Sequence, residues 1–203
     1  MNDAILGRAL LILARGAIDT RFGREAPDVP AHPDLDAPGA TFVTLQCDDH
    51  LRGCIGTLIA TRPLRVDVVH NALNAAFADP RFPPLDRREL VALEVEVSRL
   101  TPPTRMECAD EASLLEQLRP GVDGVVLQYG ERRGTFLPQV WDSLPEPREF
   151  VRELKRKTGL PADFWHRSIE VSRYTVDKWT EREHLRRDQR FSGQPSVSGH
   201  VRP

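Results

Sequence analysis

The chain has 203 residues, of which 40% are hydrophobic and 29% charged, with a formal net charge of −2. A chain of this length buries roughly 70% of its unfolded surface, so folding needs no disulfide or structural metal. The composition excludes wholesale disorder, collagen and a multi-span membrane protein, and the small net charge provides no basic field to draw nucleic acid.

Ile5, Leu6, Ala9, Leu10, Leu13 and Ala17 follow the i, i+3, i+4 rhythm of an amphipathic helix over 3–20. Arg8 and Arg15 interrupt it, so it is too short and too charged to span a membrane, and no small-residue cleavage site follows it. The three cysteines, at 47, 54 and 108, form no C-x-x-C pair, which predicts a soluble protein of a reducing, cytoplasmic compartment. Pro27, Pro30, Pro33, Pro38 and Gly39 predict a segment that is neither helix nor central strand. Alternation predicts strands over 41–47 and 51–58, joined by a turn at Asp48-Asp49-His50.

Pro63 opens a helix running to about Ala78, and Asp79 to Pro84 reads as a stiff extended connection. LEVEVS (93–98) is the clearest strand. A short helix starts near Asp110, and 124–129 with 134–137 predict a second hairpin around Gly130 to Arg133. Pro147 opens a further helix ending in Lys155, Arg156 and Lys157 before Gly159. Residues 168–176 read as the last strand, and from Thr180 the chain turns charged, then rich in Ser, Gly and Pro, a composition that predicts a flexible tail over 181–203.

The order hairpin–helix–strand thus occurs twice, over about 41–100 and 124–176. Glu96-Val97-Ser98-Arg99 recurs as Glu170-Val171-Ser172-Arg173, and Gly56-Thr57-Leu58 resembles Gly134-Thr135-Phe136. The prediction is an α+β fold of two lobes, internally duplicated, with mainly antiparallel sheets and a cleft between the lobes. Residues 1–180 form one such domain, with the helix over 3–20 packed on the lobes.

Signatures of P-loop nucleotide binding, serine hydrolysis, zinc proteolysis and dinucleotide binding are absent, and the six histidines show no metal-ligand spacing with cysteine. No metal or cofactor is expected. The remaining chemistry concentrates in LRGCIGTL (51–58). Period-two alternation puts Arg52 and Cys54 on one face, where a guanidinium favours the nucleophilic thiolate. Gly53 and Gly56 bracket the thiol, as glycines do where another backbone or a ligand approaches closely. The competing reading is a buried Cys54 packing as a small hydrophobe.

On the helix over 63–78, Asp67, His70, Asn71 and Asn74 share a polar stripe, either solvated or lining a site where His70 serves as acid or base. Were the 93–98 strand to pair beside 51–58, Glu96 would reach Arg52 and hold its guanidinium.

LRGCIGTL, NALNAAFADPRFPPL (71–85), EVSRL (96–100), GVDGVVL (121–127), GTFLPQVW (134–141) and FVRELKRKTGL (150–160) resemble, in register, the AMMECR family. Prokaryotic members of that family are called AmmeMemoRadiSam system protein A. The resemblance implies a two-lobed α+β fold and an uncharacterised activity. It also implies the company of a Memo-like protein and a radical S-adenosylmethionine enzyme. It marks Arg52, Gly53, Cys54, Gly56 and Thr57 as signature positions and Asn71, Asp79, Arg81, Glu96 and Gln139 as matching polar ones. Two functions follow: a small-molecule site with Cys54 as nucleophile or redox thiol and Arg52 as anion binder, or a non-catalytic adaptor for those two partners. Nucleic-acid binding ranks last, because the arginines are scattered and no aromatic-basic stripe accompanies them.

Overall fold

Asp3 starts the first helix by accepting hydrogen bonds from the backbone N–H groups of Ile5 and Leu6, and α1 (Ala4–Arg21) follows. In the computed structural model, which describes residues 3–25 and 27–183, nine strands and three more α-helices come after it. The next elements are β1 (Pro38–Cys47), β2 (His50–Gly56), β3 (Arg62–Pro63), α2 (Leu64–Phe77), β4 (Leu93–Leu100) and β5 (Thr104–Met106). They are followed by α3 (Glu111–Gln117), β6 (Gly124–Tyr129), β7 (Arg132–Phe136), α4 (Pro147–Lys157), β8 (Glu170–Tyr174) and β9 (Val176–Thr180). This is an α+β fold. The tail expected over 181–203 lies, from residue 184 onward, outside the described residues. None of the described helices is long and apolar enough to cross a membrane.

The chain divides into two compact units, one within Met1–Ser98 and Lys178–Pro203, the other Arg99–Asp177. In the first, the sheet order is β2-β1-β4-β9, with β3 added to β1. Its core gathers Leu6 and Leu10 of α1, Val43 and Leu45 of β1, Val68 and Ala72 of α2, Val95 of β4 and Trp179 of β9. In the second, the order is β5-β8-β6-β7, and the core holds Val125 and Leu127 of β6, Val171 of β8, and Phe150 and Leu154 of α4.

Each unit therefore carries the same wiring. The first hairpin strand is central, the second lies at the edge, and the strand after the helix returns to the free side of the first. The Glu-Val-Ser-Arg repeats occupy corresponding strands, β4 and β8. The glycine echo is off by three residues. Gly53 faces Leu45 and Gly134 faces Leu127, and both leucines are fully buried. A side chain on Gly53 would strike the Ala75 carbonyl of α2, and one on Gly134 would strike Thr158 at the end of α4. Gly53, not Gly56, is the counterpart of Gly134.

Three expectations about strand limits need correction. Residues 168–176 are not one strand. The chain breaks at Thr175, whose N–H is held by the Thr101 hydroxyl at 2.9 Å, and β8 and β9 enter different sheets. β2 ends at Gly56 rather than Leu58, and β1 begins at Pro38, inside the proline-rich stretch, where it pairs with Pro63 of β3. Asp48 and Asp49, both at positive φ, make the two-residue turn between β1 and β2.

The closeness of α2 to β2 gives a direct test. An added Cβ on Gly53 would lie 2.2 Å from a backbone oxygen, which no rotamer change relieves. Gly53→Ala is expected to lower stability by about 3 kcal/mol, read from the urea midpoint of the full chain.

Candidate functional site

β2 is an edge strand, and an edge leaves N–H and C=O groups without ladder partners. At Cys54 both outward groups are taken by the connection after α2. The Cys54 N–H donates to Asp79 Oδ2 at 2.9 Å, and Arg81 Nη2 donates to the Cys54 carbonyl at 3.0 Å. Arg81 in turn grips Asp79 through Nε to Oδ1 (2.9 Å) and Nη2 to Oδ2 (2.7 Å), and its own N–H donates to Oδ1 at 3.1 Å. Asp79 is buried, yet its carboxylate is fully engaged. Its pKa lies well below the usual carboxylate range, first because of the Arg81 hydrogen bonds and then because of the Cys54 and Arg81 backbone donors.

The second unit repeats the grip. Lys157 Nζ donates to the carbonyl of Thr135, the residue after Gly134 on the edge strand β7, at 2.9 Å. Thr135 thus stands where Cys54 stands in the first unit. The backbone clamp needs no thiol.

The Cys54 side chain is half-buried, and the Thr44 hydroxyl, across the ladder on β1, donates to its sulfur at 3.4 Å. The guanidinium that reaches Cys54 is not that of Arg52 but that of Arg81, on the Cys54 carbonyl. Arg52 is the extra residue of a bulge, since Leu45 pairs with Gly53 while Gln46 pairs with Leu51. A bulge breaks the alternation on which a shared Arg52–Cys54 face would depend. Arg52 is raised above its ordinary pKa chiefly by hydrogen bonds to Glu89, then by the charges of Glu89, Cys47 and Asp79. Arg81 is raised first by Asp79 and also by the Cys54 sulfur. The cation at Cys54 is Arg81.

Arg52 has a different holder from the one expected. Glu89 accepts from its Nε at 2.5 Å and its Nη2 at 3.0 Å, Pro83 O accepts from Nη2 at 2.9 Å, and Nη1 is buried with no partner among the described residues. β1 separates β2 from β4, so Glu96 cannot reach Arg52 and instead pairs with Lys178 at 2.9 Å. Glu89 escaped the sequence reading, although Asp86-x-x-Glu89 is a capping-box pattern, and its carboxylate does accept from the Asp86 N–H at 2.7 Å. Phe82 lies between the two guanidiniums, 5.9 Å from Arg52 and 5.5 Å from Arg81.

The polar stripe expected on α2 divides in two. His70 and Asn74 are paired at 2.9 Å on the exposed side, the solvated alternative for these two residues. Asp67 and Asn71 are buried instead. Asp67 Oδ2 accepts from the Thr41 N–H (2.8 Å), the Thr41 hydroxyl (2.8 Å) and Asn71 Nδ2 (3.0 Å), and Oδ1 accepts from Arg62 Nε at 2.9 Å. Asn71 Nδ2 also donates to the hydroxyl of Thr57 at 3.1 Å. Thr57 and Asn71 are therefore spent on tying the end of β2 to α2. Gly56 lies beneath the Phe42 ring, which would collide with any side chain there. Gln139 belongs to the other unit, on a short 3-10 helix over Pro138–Asp142. Among the described residues, no three His, Cys, Asp or Glu side chains are grouped to hold a metal ion.

Comparison with known proteins gives a consistent set of relatives. The family model described as AMMECR1 matches residues 11–179. The chain is similar to a protein of Methanopyrus kandleri, 38% identical over 169 residues, which are 78% of this chain and 80% of that one. A protein of Methanothermobacter thermautotrophicus is 37% identical over 189 residues, covering 86% and 94% of the two chains. Among solved structures, the crystal structure of an uncharacterised protein from Pyrococcus horikoshii superposes with a TM-score of 0.67 at 34% identity, covering 86% of this chain and 91% of that one.

The Asp79 grip has a stability consequence with a definite sign. Asp79→Ala leaves the part-buried Cys54 N–H without its acceptor, an expected loss of about 2 kcal/mol by urea unfolding. Because the folded pKa is depressed, the contribution of this carboxylate is complete above its unfolded value of about 4 and declines as pH falls below that. Between about pH 4 and pH 2 the Asp79→Ala variant should lose stability less steeply than the natural protein.

Proposed function

Because the chain belongs to the AMMECR1 family, we propose that its signature strand forms a thiol-dependent small-molecule site at Cys54, acting with a Memo-like protein and a radical S-adenosylmethionine enzyme. The observation that carries this reading is the difference between the two units. Both clamp an edge strand behind a glycine, but only the first places a thiol there, next to a guanidinium and a hydroxyl donor. Arg81 and Thr44 present donors to an anionic ligand that meets the sulfur. Arg52, through Glu89 and Pro83, fixes the bulge that precedes the thiol.

A second reading is a non-catalytic adaptor for the same partners. It draws on the engagement of Asp79, the carboxylate beside Cys54, by Arg81 and backbone donors, and on the internal use of Asn71 and Thr57. A shaped, hydrogen-bonded surface suits recognition as well as chemistry.

Alkylation of the native protein, resolved by peptide mapping, separates the two. Cys47 is pushed above the ordinary thiol range by burial and then by Glu89, and Cys108 by burial and then by Glu107, so both carry less thiolate at neutral pH. Cys54 is expected to label first. It should prefer anionic iodoacetate to neutral iodoacetamide, and Arg81→Gln should lower that preference about fivefold, the effect of one unit charge near 4 Å in water. Arg52→Lys should leave the preference unchanged. If Cys54 labels only in denaturant, the adaptor reading replaces the thiol site.

A further inference from the structure

The proline-rich segment between α1 and β1 has no part in the Cys54 site, yet it walls a groove. Pro27 and Val29 close one side of a channel of about 360 Å³ whose floor and other side come from α1 and α2. Ile12 and Leu13 of α1 and Val69 and Leu73 of α2 line it, all of them half-buried rather than sealed in the core. Gly16 widens the floor. A glycine inside a helix costs about 1 kcal/mol relative to alanine, and here its missing side chain keeps the channel open.

Among the described residues, Arg21 is the sole charged group in the lining. Its guanidinium lies 5.6 Å from the centroid of the Phe77 ring, and among the described residues no carboxylate pairs with it. The nearest acid in sequence, Asp19, is engaged by Arg24 at 3.5 Å. The Thr20 hydroxyl donates to Gly16 O at 2.7 Å, so it adds no unmet donor to the channel. Aliphatic walls with a single cation at one end match a ligand having the opposite arrangement. Binding pockets for small molecules share this size and this economy of polar groups.

We propose that the α1–α2 groove binds a single-chain aliphatic anion, its hydrocarbon chain along Ile12, Leu13, Val69 and Leu73 and its anionic head on Arg21. The site is separate in sequence from the Cys54 clamp and does not depend on it. A partner helix or a second copy of the chain would cover the same side chains, but neither requires one isolated cation at the end of the channel.

The test is titration calorimetry of the full chain with decanoate, decyltrimethylammonium and butyrate. Decanoate should bind saturably at one site per chain. Both decyltrimethylammonium, which reverses the head charge, and butyrate, which shortens the chain, should bind at least tenfold more weakly. Arg21→Gln, an exposed change with circular dichroism as a check on folding, should weaken decanoate about tenfold, and Gly16→Leu should abolish its binding. Absence of saturable decanoate binding, equal affinity for the two decyl compounds, or an unaltered Arg21→Gln variant would each overturn the proposal. So would a dimer, seen by sedimentation, that Leu73→Glu dissociates, because the groove would then be an interface between copies.

Discussion

The buried carboxylate of Asp79 organises everything around the signature strand. It takes the N–H of Cys54 on one oxygen and is held by Arg81, which takes the Cys54 carbonyl. An edge strand that would otherwise present an unpaired peptide is closed by a side chain and its counter-ion. Closure also fixes the neighbours. Gly53 must stay without a side chain because α2 reaches the strand on one face, and Arg52 bulges out toward Glu89. Thr57 is then drawn into the Asp67–Asn71 network at the start of α2. The signature Arg-Gly-Cys-Ile-Gly-Thr is in large part a specification of this edge.

The second unit shows which part of that specification is structural. β7 has the same position in its sheet, the same glycine against the end of the following helix, and a basic side chain on the next carbonyl. Its version is simpler, with one Lys157 in place of an Asp–Arg pair and a threonine in place of the cysteine. The extra carboxylate in the first unit holds the Cys54 N–H, and a guanidinium rather than an ammonium holds its carbonyl. Those additions do for Cys54 what the fold alone does not require, and they motivate a thiol-centred reading of the site.

Much of this architecture was legible in the sequence where a physical period or a stop signal repeats. The rhythm from Ile5 to Ala17 gave α1, Pro63 and Pro147 marked the starts of α2 and α4, and the alternation in LEVEVS gave β4. The duplication was visible in the order of elements, though the glycine echo pointed to Gly56 when the contact belongs to Gly53. What escaped depends on contacts distant in sequence. The bulge at Arg52 inserts one residue without any local mark, and the break at Thr175 interrupts an alternation that continues on both sides of it. The burial of Asp67 and Asn71 was hidden because a polar stripe on a helix reads the same whether it faces water or a satisfied network. Within the candidate site, family resemblance points to Arg81 and spacing to Arg52, and the structure gives the cation on Cys54, at its carbonyl, to Arg81.

Amide hydrogen exchange at Cys54 tests the clamp most directly. An outward N–H on an edge strand exchanges like an open amide unless something holds it, and here the Asp79 carboxylate holds it. The account predicts that the Cys54 amide in the full chain is protected to the degree of the ladder-bonded amides of β1, and that Asp79→Ala removes this protection while leaving that of β1 in place. Exchange of the Cys54 amide at the rate of an open edge amide in the natural protein would contradict it.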